Sequence, residues 1–154
     1  MKPNICLVEA TYYPDILSKL HKGAVNELKG KYVTPMKRKN FLQAQFFVPG
    51  IFEIPVVIAK NINSYDGFVA LGCVIKGETP HFEIISKATI NAIMDLSVKF
   101  KKPIGNGIIT CLNKKQALER ADPTKRNKGG EAARAVLSVL GILKNESQWS
   151  SSES

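Results

Sequence analysis

Cysteine and histidine are both scarce in this sequence, three of the first and two of the second among 154 residues. Cys6, Cys73 and Cys111 are odd in number and form no C-x-x-C pair, which leaves no basis for a disulfide framework and favours a reducing compartment. His21 and His81 have no ligand-like spacing, so no metal is expected. No apolar run approaches the ~20 residues that a membrane-spanning helix needs. The chain reaches Cys6, Leu7 and Val8 without a signal-like segment. We therefore expect a soluble, cytoplasmic protein with no membrane partner. The G-x-G-x-x-G and Walker patterns are missing too, so a dinucleotide or a nucleoside triphosphate is not the obvious ligand.

Acidic residues are few against basic ones, and the formal net charge is +9. That raises nucleic acid, acidic membranes or phosphorylated small molecules as partners. The basic clusters at Lys37 to Lys39 and Lys99 to Lys102 lack the interleaved aromatics of a stacking platform, so a solvated surface is the better reading and no nucleic-acid partner is expected. A hydrophobic content of 44% in one chain of this length is enough for one self-sufficient core. We read residues 1–146 as a single domain and 147–154 as a disordered tail.

Asn4 to Ala10 reads as a buried strand. Pro14 and Asp15 then open a helix whose Ile16, Leu20, Ala24 and Leu28 recur at helical spacing, with Gly30 at its end. Lys31 to Asn40 is basic and non-periodic. Phe41 to Val48 is aromatic and β-branched enough for a second strand, stopped by Pro49-Gly50, and Glu53 and Pro55 stand at the mouth of a helix towards Asn61.

Gly67 to Ile75 is apolar with no interior charge, as suits a strand buried on both faces. Gly77 then permits a tight turn, Thr79 is a suitable helix cap, and Pro80 suits a first helical position. The helix from Pro80 runs to about Phe100. Ile104 to Thr110 is a fourth strand, Lys114 to Ala121 a short helix, and Lys128 to about Leu143 the last helix. Gly129-Gly130 lacks the preceding strand of a phosphate loop and reads as close packing.

Strands alternating with helices predict a doubly wound α/β domain with a parallel sheet, whose ligands bind beyond the carboxyl ends of the strands. Tyr12, Glu53, His81 and Asn106 all fall just after a strand or near its end. The start of the helix at Pro80 offers free N–H groups to an anion beside Glu78 and Thr79, and phosphate is the natural candidate. His81, next to it, is an imidazole able to take or give a proton near neutrality.

Three stretches together, VPGIFEIP at Val48 to Pro55, ALGCVIKGETPHF at Ala70 to Phe82 and NKGGEAA at Asn127 to Ala133, resemble the lumazine synthases of riboflavin biosynthesis. The likeness runs from about Ile5 to Leu140 and includes QALERAD at Gln116 to Asp122. It implies a flavodoxin-like sheet of four parallel strands and a transferase that uses no cofactor. Its reaction would condense 5-amino-6-(D-ribitylamino)uracil with 3,4-dihydroxy-2-butanone 4-phosphate, giving 6,7-dimethyl-8-ribityllumazine, phosphate and water. It also implies a homo-oligomer whose sites are shared between subunits. With few residues ahead of the first strand, a pentamer is expected rather than an icosahedral shell.

By the same resemblance, Tyr12 matches the aromatic residue that stacks on the pyrimidine. Ile51, Phe52 and Glu53 match the turn that holds the ribityl chain, and Cys73, Val74 and Ile75 the strand end that reads the uracil edge. Glu78, Thr79 and Arg120 match the phosphate grip, His81 the proton-transfer residue, and Lys128 a lysine near the site. Two positions depart from the pattern. Thr11-Tyr12-Tyr13 stands where many relatives have arginine, phenylalanine and asparagine, and Asn106 stands where many have a phenylalanine reaching a neighbour's substrate. A non-catalytic flavin or lumazine binder of the same fold is the alternative reading.

Overall fold

The computed structural model describes residues 3–29 and 45–152. Four parallel strands carry the architecture: β1 at Ile5–Ala10, β2 at Gln45–Val48, β3 at Gly67–Ile75 and β4 at Ile104–Cys111. Their order in the sheet is β2-β1-β3-β4, so the chain winds outward in both directions from a reversal between β1 and β3. The expected doubly wound α/β fold is what forms. The helices are α1 at Pro14–Leu28, α2 at Ile54–Asn61, α3 at His81–Phe100, α4 at Lys114–Ala121 and α5 at Lys128–Ser152, with a 3-10 turn at Ile51–Glu53 ahead of α2.

Alternation along the buried strands divides the core in two. Ile5, Leu7, Val69, Leu71 and Cys73 face α1, α4 and α5, where Ile16, Leu20, Ala24, Ala117, Ala133 and Val136 meet them. Cys6, Val8, Ala10, Phe68 and Ala70 face the other way, onto Ile54, Ile58 and Ile93 of α2 and α3. Both layers are needed because a sheet apolar on both faces must be covered on both.

The helix ends follow local chemistry. Asn113 caps α4 by accepting the Gln116 N–H at 2.8 Å, and the Gln116 side chain accepts from Leu112 N at 2.8 Å, a near relative of the capping box. Asn127, in the left-handed region at φ 47°, opens α5 and accepts from Gly130 N at 3.2 Å. Lys101, also left-handed at φ 54°, closes α3 ahead of Pro103.

The close packing read at Gly129 and Gly130 is real at Gly129. A methyl group there would meet the Leu20 backbone of α1. The last helix runs on past Leu143 to Ser152, through most of the stretch read as a disordered tail, with no proline to stop it. Gly30, the Lys31 to Asn40 connection with its basic cluster, and the Phe41 to Ala44 part of the second strand lie outside the described residues.

Candidate active site

The reversal between β1 and β3 puts a crevice at their carboxyl ends, and most of the candidate residues lie along that rim. Tyr12 lies two residues past the end of β1 and is 72% exposed, its ring edge-on to Tyr13 at 4.9 Å between centroids. Backbone bonding carries the β1–β2 pairing one step beyond the strand, from Thr11 N to Val48 O at 2.9 Å. That fixes the base of the Tyr12 loop.

The turn after β2 buries Ile51 against the sheet and leaves Phe52 62% exposed. It packs on α3 and on the ends of β1 and β3. Gly72 makes this approach available, because a methyl group there would stand 2.7 Å from the Ile51 side chain and 3.1 Å from Ala10. Glu53 sits at the N-cap of α2, half-buried, and caps nothing with its side chain.

Cys73, Val74 and Ile75 form the last turn of the pleat in β3, with Cys73 buried and the next two half-buried. Lys76 N then bonds Cys111 O at 2.8 Å, which ties the β3 end to the β4 end. Glu78, Thr79 and His81 follow, all exposed. One detail differs from the sequence reading. Thr79 does not cap the helix, which begins at His81 with Pro80 as its N-cap and no side-chain cap bond. The missing cap leaves the first turn of α3 without a side-chain acceptor, which suits an external anion better than a capped end would.

Arg120, in the last turn of α4, reaches back over the end of β4 and donates from Nη1 to Thr110 O at 2.9 Å. Its guanidinium also lowers the Cys111 pKa, although burial is the larger effect and leaves that thiol raised. Cys73 is pushed up to about 12, first by burial and then by Cys111 beside it. Both thiols are therefore packing groups here and not nucleophiles.

Two candidates are not brought to this rim. Asn106 is the third residue of β4, paired with Ala70, and its Oδ1 accepts from Ile108 N at 3.1 Å. It lies well before the carboxyl end, because β4 enters its register already at Phe68↔Ile104. Lys128 begins α5, where it pairs with Glu131 at 3.1 Å while the neighbouring Gly129 packs on the middle of α1. Sequence reasoning also missed a carboxylate–imidazole pair on β1 and α1, with the carboxylate buried and the imidazole half-buried. Glu9 is fully buried and its Oε1 lies 2.6 Å from His21 Nδ1. An acidic residue inside an otherwise apolar strand was the available signal.

A doubly wound α/β domain with exposed aromatics, a carboxylate, an imidazole at an uncapped helix start and an arginine around one carboxyl rim belongs to the enzymes that bind small molecules at a topological switch point. Residues 2–144 match the family model described as 6,7-dimethyl-8-ribityllumazine synthase. Among curated relatives, the 6,7-dimethyl-8-ribityllumazine synthase of Bartonella tribocorum is 45% identical over 93% of this chain and 91% of its own. The 6,7-dimethyl-8-ribityllumazine synthase 1 of Rhodopseudomonas palustris is 47% identical over 90% of this chain and 84% of its own. That of Agrobacterium fabrum is 41% identical over 93% and 96%. The chain belongs to the 6,7-dimethyl-8-ribityllumazine synthase family.

Proposed function

We propose that the carboxyl rim is where this chain carries out its family's reaction. The ribitylaminouracil lies on the β1–β2 side and the butanone phosphate between the start of α3 and Arg120. What supports the reading is topology: Tyr12, Glu53, His81 and Arg120 come, in chain order, after the carboxyl ends of β1, β2, β3 and β4. The reaction is the condensation of 5-amino-6-(D-ribitylamino)uracil with 3,4-dihydroxy-2-butanone 4-phosphate to 6,7-dimethyl-8-ribityllumazine, a transferase step in riboflavin biosynthesis.

Tyr12 supplies a flat exposed ring for the pyrimidine to stack on. Ile51 and Phe52 shape the turn around the ribityl chain, and Glu53 accepts its hydroxyl hydrogens. The backbone of Cys73, Val74 and Ile75 reads the uracil edge. Glu78 and Thr79, with the uncapped N–H groups behind them, cradle the phosphate. Arg120 adds a guanidinium that stays charged and donates two parallel hydrogen bonds.

The 5-amino group attacks the butanone carbonyl and water leaves to give the imine. The phosphate is then expelled, and the ribitylamino nitrogen closes the ring with loss of a second water. Protons move between nitrogen, oxygen and carbon at each stage, and His81 stands at the edge of the phosphate loop to relay them. Holding the two substrates together accounts for much of the remaining acceleration.

The assembly we propose is a homopentamer acting in the cytoplasm. Three buried free thiols suit a reducing compartment. An apolar groove between α2 and α3, walled by Pro55, Val56, Ala92 and Leu96, adjoins exposed Met94 and Val98 and fits a second copy. Asn106, exposed on edge strand β4 away from its own rim, then faces the neighbour, and Lys128 approaches a shared site only across such a boundary. Light scattering should return the mass of five chains, and a monomer or a shell-sized particle would overturn that assembly.

Mixing purified protein with both substrates and following lumazine fluorescence tests the activity, because the substrates also react slowly unaided. A rate well above the protein-free control, cut by Arg120→Ala and weakened but not abolished by His81→Ala, is expected. A rate equal to the control would leave a ligand-binding relative as the better description.

A further inference from the structure

The loop that carries Tyr12 is held from two sides. Thr11 donates to Val48 O from its backbone N at 2.9 Å and from Oγ1 at 3.3 Å, which makes it part of the sheet. Tyr13 is the N-cap of α1, and its carbonyl accepts from Leu17 N at 2.9 Å, which makes it part of the helix. Tyr12 stands between them, so the lie of α1 on the sheet decides where its ring points.

Apolar packing alone does not fix that lie. Ile16, Leu20 and Ala24 seat α1 on the sheet, but such contacts are non-directional. Towards edge strand β2 the seam opens into a recess of about 280 Å³, bordered by Leu17, Ser18 and His21 of α1, Gln45 and Phe47 of β2, and Thr11 and Pro14 of the loop itself. Across this corner runs a directional tie, the 2.6 Å bond between Oε1 of Glu9, the penultimate residue of β1, and Nδ1 of His21, about two turns into α1. The ion pairs of Asp15 with Lys114, Lys19 with Asp122 and Glu27 with Arg134 join α1 to α4, to the end of α4 and to α5, not to the sheet.

Net stability is a poor reason for the Glu9–His21 pair. Glu9 is fully buried, and its Oε2 has no partner among the described residues. An apolar pair of similar volume would be about as stable or more so, but would leave the direction free. With its side chain enclosed, the carboxylate serves His21 and not a ligand.

We propose that Glu9 and His21 are positioning residues for the pyrimidine: their bond sets the pose of α1 on β1 and so holds the Tyr12 ring where it receives the substrate. The proposal rests on the place given to Tyr12 in the reaction above.

Glu9→Met/His21→Leu tests it by replacing the pair with apolar groups of similar size. The urea midpoint should stay at or above that of wild type. The KM for the ribitylaminouracil should nonetheless rise at least about five-fold, as for partial loss of a stacking contact, with kcat and the KM for the butanone phosphate within about two-fold of wild type. Glu9→Gln, which keeps an acceptor for the Nδ1 hydrogen, should retain the wild-type KM. A readout without substrate is fluorine NMR of protein labelled with fluorotyrosine, the Tyr12 signal being identified by Tyr12→Phe. That signal should shift or split in Glu9→Met/His21→Leu and stay in place in Glu9→Gln. His21→Ala, at a half-buried position, carries the same expectations for KM and signal should the double variant fail to fold. An unchanged uracil KM, an unchanged Tyr12 signal, or a KM rise shared equally by the butanone phosphate would overturn the proposal. A wild-type rate equal to the protein-free control would instead remove the reaction assigned to the rim, and the Tyr12 signal would still decide whether the pair sets the ring.

Discussion

Substituting two glycines of the same helix should change stability in opposite directions. Gly141 lies in the interior of α5 and Gly129 in its first turn, so replacement by alanine gains about 1 kcal/mol of helix propensity at Gly141 and at most about that at Gly129. At Gly141 nothing stands within 4 Å of the added methyl group, and the gain is kept. At Gly129 the methyl group would run into the carbonyl oxygen, carbonyl carbon and Cα of Leu20, which are backbone atoms of α1. No rotamer change relieves that contact, so α5 must lift away from α1. Overpacking costs about 1–3 kcal/mol, and a backbone obstruction belongs at the upper end of that range. Subtracting the propensity gain leaves a net loss of about 2 kcal/mol, or about 4–8 °C in Tm for a domain of this size. Urea titrations of both variants at one protein concentration are the assay, since any association would otherwise shift the midpoint. A Gly129→Ala protein at or above the wild-type midpoint would refute the close α1–α5 seam.

Other outcomes follow from particular residues. The Glu9 hydrogen bond raises the His21 pKa above 6.5, so its stabilisation is complete below that value and is lost as pH rises through the folded-state value. The urea midpoint of wild type relative to His21→Gln should therefore fall from pH 6 to pH 9, and a constant difference would refute the linkage. With Cys6 and Cys73 pushed up to about 12, only about one thiol in ten thousand is ionised at pH 8. Ellman-type reagent should thus react with them far more slowly in native protein than in urea, and equal rates would show that the core is open. Arg120→Lys keeps the charge but loses the fork, so it should raise the KM for the butanone phosphate several-fold while sparing that for the uracil. Leu20→Ala, at a fully buried contact of α1, should cost about 2–5 kcal/mol by chemical denaturation, and a smaller loss would mean the site collapses around the gap.

Much of the fold was legible because strand and helix periodicities are local. β1 and β3 are near-continuous apolar runs, Pro14 starts α1, and Pro103 follows the end of α3. The rim residues could be read because each site loop directly follows a strand, so chain order alone predicts a common edge. Asn106 was grouped with the strand ends although the expected strand, Ile104 to Thr110, already had it in third place; β4 runs from Ile104 through Cys111 and leaves it well before the carboxyl end. Thr79 looked like a cap because its type suits one, but Pro80 has a backbone that starts the helix one residue later. The Glu9–His21 pair stayed invisible because its members come together only when α1 folds back across β1.

The bonds from Thr11 N to Val48 O and from Lys76 N to Cys111 O bear on how much freedom a substrate must remove. They make the first residues of two site loops part of the sheet, so the anchors of Tyr12 and of the β3 end are set before any ligand arrives. From Gly77 to Thr79 no such tie exists among the described residues, and Gly77 stands in open space. With the substrates placed as proposed, the entropy of closing on them is concentrated in three residues beside the proposed phosphate position, while the surface proposed for the pyrimidine has its anchors set in the sheet. Stiffening that short loop should therefore raise affinity by lowering the ordering cost.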